Sequence, residues 1–175
     1  MSMRPETFRS DELTSLLGML NAQRDIIRDK TRGMTATQLT QKLPSSEMTL
    51  GGLLRHLTRV EYSWSVRVWA GLPPEEPWAS APWADDGDWD WRWSADEDPD
   101  ALRRDWEAGC ARTDEIIRAH PDLDAEAAIQ PHVKYEGPDA WVTRRYVILH
   151  LIEEVARHAG HADLLAEAID GRTGQ

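Results

Sequence analysis

YVILHLIEEVARHAGHADLLA, running from Tyr146 to Ala166, is the stretch whose reading decides the fold. Its apolar residues Val147, Leu151, Val155, Leu164 and Leu165 recur at helical spacing, which predicts an α-helix with one buried face. His150, Glu154, His158 and His161 follow the same period, so a ribbon of metal-competent side chains runs beside the apolar stripe. Ionisable groups turned toward a core cost several kcal/mol unless they are paired, hydrogen-bonded or bound to metal. A shared cation explains the four together. The competing explanation is a set of buried histidines hydrogen-bonded to Glu153, Glu154 or Asp163.

Working back from this helix, three more helical periods precede it. Leu13, Leu16, Leu17, Leu20, Ile26 and Ile27 mark a first helix, opening near Ser10 and Asp11 and stopping at about Thr31 before Gly33. After a connection holding one short turn, Leu53, Leu57, Val60, Trp64 and Val68 define a second helix from Leu50 to about Ala70, capped by Thr49 or Ser46 and ended by Gly71. Asp98 and Pro99 form a favourable start for a third, which runs to about His120. The fourth spans Trp141 to about Ile169, after an irregular segment with a short strand or turn around His132 to Tyr135.

Four helices without a convincing sheet predict an all-α four-helix bundle, taken as a single domain over residues 1–175. The loop from Leu72 to Asp98 is long enough to travel the length of a helix of about 30 Å, which would let helices two and three run parallel. Five of the nine tryptophans lie in it, too many for a solvated tether, so it is expected to pack along the bundle, with residues 78–93 as a lid over the site left as the alternative. Trp89, Trp91 and Trp93 alternate with Asp90 and Arg92, a pattern that also fits a short extended piece; the loop aspartates read as a solvated face.

The net charge of −11 excludes the clustered positive charge that nucleic acid or an anionic membrane surface requires. No apolar run approaches the roughly 18 residues of a membrane span, no signal peptide is visible, and one cysteine allows no internal disulfide; a cytoplasmic protein is expected. Cys110 reads as a small buried residue. Arg outnumbers Lys by 17 to 3, residue usage that fits a GC-rich genome.

Catalytic zinc is usually held by three His, Glu or Asp ligands with one position left open. Residues four apart on a helix share a face, which offers His150 with Glu154 or Glu154 with His158. A third ligand must come from another element, and His56 is the histidine that shares a core-facing stripe. Glu61, about 140° from His56 around the helix, reads as solvated. Trp64 is a core or rim residue, with a wall of a substrate pocket as its alternative role.

GLLRHLTRVEYSW in helix two, together with LHLIEEVARHAGHADLLAEAIDGRTG at the C-terminus, resembles the DinB-like superfamily. More narrowly, the chain is similar to the small actinobacterial proteins grouped with mycothiol-dependent maleylpyruvate isomerases and mycothiol transferases. The resemblance implies an up-down-down-up bundle, with a long crossover between helices two and three and a divalent metal between helices two and four. Carried over by position, it implies His56, Glu154 and His158 as the metal ligands. Many relatives have histidine at both helix-four positions, and the carboxylate of Glu154 shifts the site toward harder ions; zinc stays first, with Ni, Mn or Fe as alternatives. His150 and His161 become supports that orient a ligand.

The implied chemistry is attack of a metal-activated thiol, mycothiol or a similar one, on an electrophilic small molecule. Thiol transfer is favoured over isomerisation, because the chain is expected to lack the additional substrate domain of the isomerases. A metal-dependent hydrolase, with Glu153 or His161 as base, is a second reading, and a non-catalytic metal-binding stress-related bundle a third. A homodimer is expected to be accessible to such a bundle.

Overall fold

The computed structural model describes residues 9–131 and 141–173. Five helices follow in order: α1 (Glu12–Thr31), α2 (Ala36–Leu39), α3 (Leu50–Tyr62), α4 (Pro99–Ala119) and α5 (Arg144–Asp170). Among the described residues there is no strand, only an isolated bridge between Glu126 and Thr143. The structure is all-α. The strand or turn expected around His132 to Tyr135 lies outside the described residues.

Each helix begins where a short polar side chain can accept from the first free backbone N–H groups. Asp11 caps α1 through Thr14 N, Thr49 caps α3 through Gly52 N, Asp98 caps α4 ahead of Pro99, and Thr143 caps α5 through Tyr146 N. α2 carries a full capping box, with Thr35 and Gln38 each bonding the other's backbone. α5 starts three residues later than Trp141, because Val142 and Arg144 are first engaged by the backbone of Ala127 and Ala125. Gly171 closes α5 at φ 78°, a left-handed conformation that costs glycine nothing sterically.

The second predicted helix is not uniform. α3 ends at Tyr62 and continues as a π-helical segment, Ser63–Trp69, before Gly71. In that wider stretch the Ser65 hydroxyl donates to the Glu61 carbonyl at 2.7 Å, and Trp69 is fully buried. Such segments recur at functional sites inside α-helices.

α1 packs on α5, and α3 packs on both α4 and α5. The core gathers Leu20, Ile27, Leu53, Leu57, Ile117, Leu151 and Val155, all with almost no exposed surface. Leu164, expected on the buried stripe, is 61 % exposed, and the neighbouring Leu165 takes the inward position at 2 %. Adjacent residues stand about 100° apart on the helix, and here the inward arc is taken by Leu165 and Ala166 while Leu164 falls outside it.

Glu61 reverses its expected role. It is fully buried, and its carboxylate takes two hydrogen bonds from Arg24 of α1, Nε to Oε1 at 2.8 Å and Nη2 to Oε2 at 2.7 Å. Arg24 also reaches Asp114 of α4 at 2.8 Å. Facing away from His56 does not mean facing water on a helix packed by several neighbours. Cys110 is buried as expected, and burial pushes its thiol well above the ordinary range.

The loop between α3 and α4 packs along α3. An added Cβ on Gly51 would sit 2.4 Å from the Trp93 ring and one on Gly52 2.5 Å from the Trp91 carbonyl oxygen, so the loop can approach only because two glycines lie there. Arg55 lies 4.1 Å over the Trp89 ring and Arg59 4.8 Å over the Trp83 ring. Trp89 to Trp91 forms one 3₁₀ turn rather than an extended piece. It carries Asp90 inward to 2 % exposure, which corrects the reading of every loop aspartate as solvated.

Candidate metal centre

α3 and α5 bring His56, Glu154 and His158 together. One nitrogen or oxygen from each lies within 4.8 Å of the others, and the His56 and His158 rings are 5.2 Å apart, nearly edge to face. Nε2 of His158 is 3.7 Å from Oε2 of Glu154. Two donors around a tetrahedral zinc with bonds of about 2.1 Å are roughly 3.4 Å apart, so this pair already stands close to ligand spacing.

Each of the three has its other polar atom held by the protein. Nδ1 of His56 is 2.7 Å from Oδ2 of Asp90, which fixes that nitrogen as the protonated one and leaves Nε2 with a free lone pair. Oε1 of Glu154 accepts from Arg157 at 2.9 Å. Nδ1 of His158 lies 3.2 Å from Nδ1 of His161; one of the two must carry the hydrogen, and if His158 does, its Nε2 is the lone-pair nitrogen. A buried carboxylate donating orientation to a histidine is the usual arrangement behind a metal ligand.

The electrostatics agree. Burial, with the His56 and His161 rings and Arg157 nearby, lowers the His158 imidazole to about 4, so it is neutral at pH 7 and able to coordinate. Asp90 is also 3.6 Å from Arg59, which balances its charge away from water. Trp91 stacks on His56 at 4.1 Å, with planes 16° apart, and its ring is 5.5 Å from that of His158, so an indole covers one side of the pair. The residues present fit a divalent cation by donor type, spacing and protonation.

Of the remaining candidates, His161 stands directly behind His158. His150 lies about two turns away, 4.1 Å from Trp64, parallel to Tyr146 and 3.6 Å from Glu153. Trp64 is half-buried beside it. Glu153 is 58 % exposed on its side chain and paired to Arg157 at 2.6 Å, at the surface rather than at the triad. His120 caps the end of α4. The residues that sequence reasoning missed are Asp90 and Trp91. Their one signal was the Trp-Asp-Trp alternation, which marked a half-buried piece without saying what it covered.

A cleft of about 610 Å³ adjoins this group across Trp91, with Ser46, Thr49, Arg92 and Trp93 among its walls. Among the described residues no helix is long and apolar enough to cross a membrane. No curated protein matches the chain in sequence. The family model described as Mycothiol-S-transferase matches residues 15–171, nearly the whole chain, and the protein belongs to that family.

Proposed function

We propose that the chain is a metal-dependent thiol S-transferase, with His56, Glu154 and His158 as ligands of a divalent cation, zinc before nickel, manganese or iron, and with mycothiol as the attacking thiol. The observation that carries this reading is the threefold arrangement in which Asp90, Arg157 and His161 each engage the far atom of one ligand. When bound, such a cation holds a coordinating thiol deprotonated at neutral pH. The chain's own residues prepare the place. Asp90 fixes the His56 tautomer, His161 engages Nδ1 of His158, and Arg157 holds Glu154 so that one oxygen stays turned toward the imidazoles. Trp91 keeps water off one side. The polar body of the thiol rests in the cleft beyond Trp91, where Ser46 and Thr49 offer hydroxyls and Trp91 and Trp93 offer flat faces. Membership of the Mycothiol-S-transferase family supports the thiol class. Of the two bases named for the hydrolytic alternative, Glu153 is paired at the surface, while His161 is engaged with His158.

We also infer the up-down-down-up order with a crossover between α3 and α4. The pairs Glu12 with Arg145 and Lys30 with Asp163 rise together along α1 and α5. Arg24 with Asp114 and Arg28 with Glu107 run in opposite senses along α1 and α4. Thr58 beside Gly109 and Ser65 bonded to Thr113 rise together along α3 and α4, while His56 with His158 and Trp64 with His150 oppose along α3 and α5.

The test is consumption of mycothiol with monobromobimane as the electrophile, comparing zinc-loaded wild type with His158→Ala. Acceleration by the wild type alone supports the proposal, and a much smaller rate with cysteine identifies the sugar-bearing body as recognised. Equal rates for wild type, variant and buffer would overturn it.

A further inference from the structure

A second cavity, of about 390 Å³, lies between α3, α4 and the crossover loop, and none of the three candidate ligands lines it. Its volume falls in the range of small-molecule sites. The chemistry of its wall is divided. Thr58, Leu102 and Trp78 are buried and give it an apolar floor, with the half-buried Tyr62 beside them. The rim is acidic, since Glu76, Glu97, Asp98 and Asp105 are exposed there.

Most of the rim groups already have work within the chain. Glu76 accepts from the Ser80 hydroxyl at 2.5 Å, Asp98 caps α4, and Glu97 accepts from Ser94 N at 2.9 Å. Arg55 is the one cationic residue among the described lining residues, and its guanidinium is committed to the Arg92 carbonyl at 2.7 Å, to the rim carboxylate of Glu97 at 3.4 Å and to the Trp89 ring. Asp105 has no hydrogen-bond or ion-pair partner among the described residues. The local potential registers on Tyr62, whose phenol is pushed up by burial and by the carboxylates of Glu75 and Asp105.

An aromatic and aliphatic floor beneath a negative rim with one unpaired carboxylate is complementary to a molecule that is apolar at one end and positive at the other. We propose that this cavity binds an amphipathic organic cation, an aryl- or alkylammonium, with the apolar end against Trp78 and Leu102 and the ammonium at Asp105. The cavity holds none of the candidate metal ligands, although Trp93 walls both it and the cleft beyond Trp91, and it does not depend on the function proposed for the metal centre.

Isothermal titration of the full chain with 4-phenylbutylamine, 4-phenylbutanol and 4-phenylbutyrate reads the claim directly. The amine is expected to bind at least tenfold more tightly than the alcohol, and the carboxylate not at all. Asp105→Asn should weaken the amine at least threefold and leave the alcohol unchanged, and Ala108→Trp, which fills the mouth from α4, should abolish binding of both. Both positions are exposed on the helix, so the fold should be retained and can be checked by circular dichroism. His56→Ala should bind the amine as wild type does. Equal affinity for the three probes, no binding of the amine, or amine binding indifferent to both α4 variants would overturn the proposal, and loss of binding in His56→Ala would reassign it to the metal centre.

Discussion

The carboxylate of Asp90 and the imidazole of His56 meet at 2.7 Å across 34 residues of sequence, the first from a 3₁₀ turn in the loop between α3 and α4 and the second from α3. Asp90 is almost wholly buried, and among the described residues Arg59 pairs with it at 3.6 Å. A charge kept from water in this way is costly unless it is held by hydrogen bonds. Here the bond also selects the tautomer that leaves the lone pair of His56 on Nε2.

Asp90→Ala is therefore expected to lower metal affinity by about 10- to 100-fold while leaving all three ligands in place. Asp90→Asn, which still offers an acceptor to Nδ1–H, should fall between the two. Competition titration with a chromophoric zinc chelator measures both. Wild-type affinity in Asp90→Ala would show that the carboxylate does not support the ligand.

Gly52→Ala tests the same connection from the helix side. Its Cβ would lie 2.5 Å from the Trp91 carbonyl oxygen, a backbone atom that cannot swing aside, so the 3₁₀ turn carrying Asp90 must shift. Overpacking of this kind costs about 1–3 kcal/mol. Gly51→Ala meets the Trp93 ring first, a side chain that can shift, and the Leu39 carbonyl oxygen only at 3.1 Å. The expected order is a larger loss of zinc affinity in Gly52→Ala than in Gly51→Ala, read by the same titration with thermal unfolding alongside.

The Arg24–Glu61 pair has a purely structural signature. Glu61→Ala leaves a buried guanidinium short of its main partner and should cost about 3–5 kcal/mol in chemical denaturation. Arg24→Met combined with Glu61→Leu should recover most of that loss, because Asp114 retains Arg118 at 2.9 Å. Zinc content should be unchanged in the folded double variant.

Much of this architecture is legible in the sequence because it is local. The spacing of Glu154 and His158 fixes them on one face of α5, Asp98 with Pro99 marks the start of α4, and Gly33, Gly71 and Gly171 take the positive φ that each stop requires. His56 could be picked out because it shares a helical stripe with Leu53 and Val60. What was hidden depends on contacts between distant segments. Glu61 was misread because its partner Arg24 lies on another helix, and a helical wheel drawn around His56 cannot say what the other faces touch. Asp90 was misread because nothing in an acidic, tryptophan-rich loop distinguishes the one aspartate that turns inward. The π-helical stretch after Tyr62 has no sequence mark at all.

His158 contributes its own pH response to the metal-free protein. Its folded-state value of about 4 is depressed from 6.5, chiefly by burial, so the unfolded chain binds more protons between those values. Stability from this group is fully present above pH 6.5, declines as pH falls toward 4, and changes no further below that. The loss amounts to about 3 kcal/mol. Urea unfolding at pH 7, 5.5 and 4.5 should show it, and His158→Gln should flatten that part of the profile relative to wild type.

The central claim is that α3 and α5 together hold one cation. Metal content per chain, measured by mass spectrometry after zinc loading and gel filtration, tests it most directly in wild type beside His56→Ala and His158→Ala. One zinc per wild-type chain and almost none in either variant is the predicted result. Retention of zinc at wild-type stoichiometry in both folded variants would contradict it.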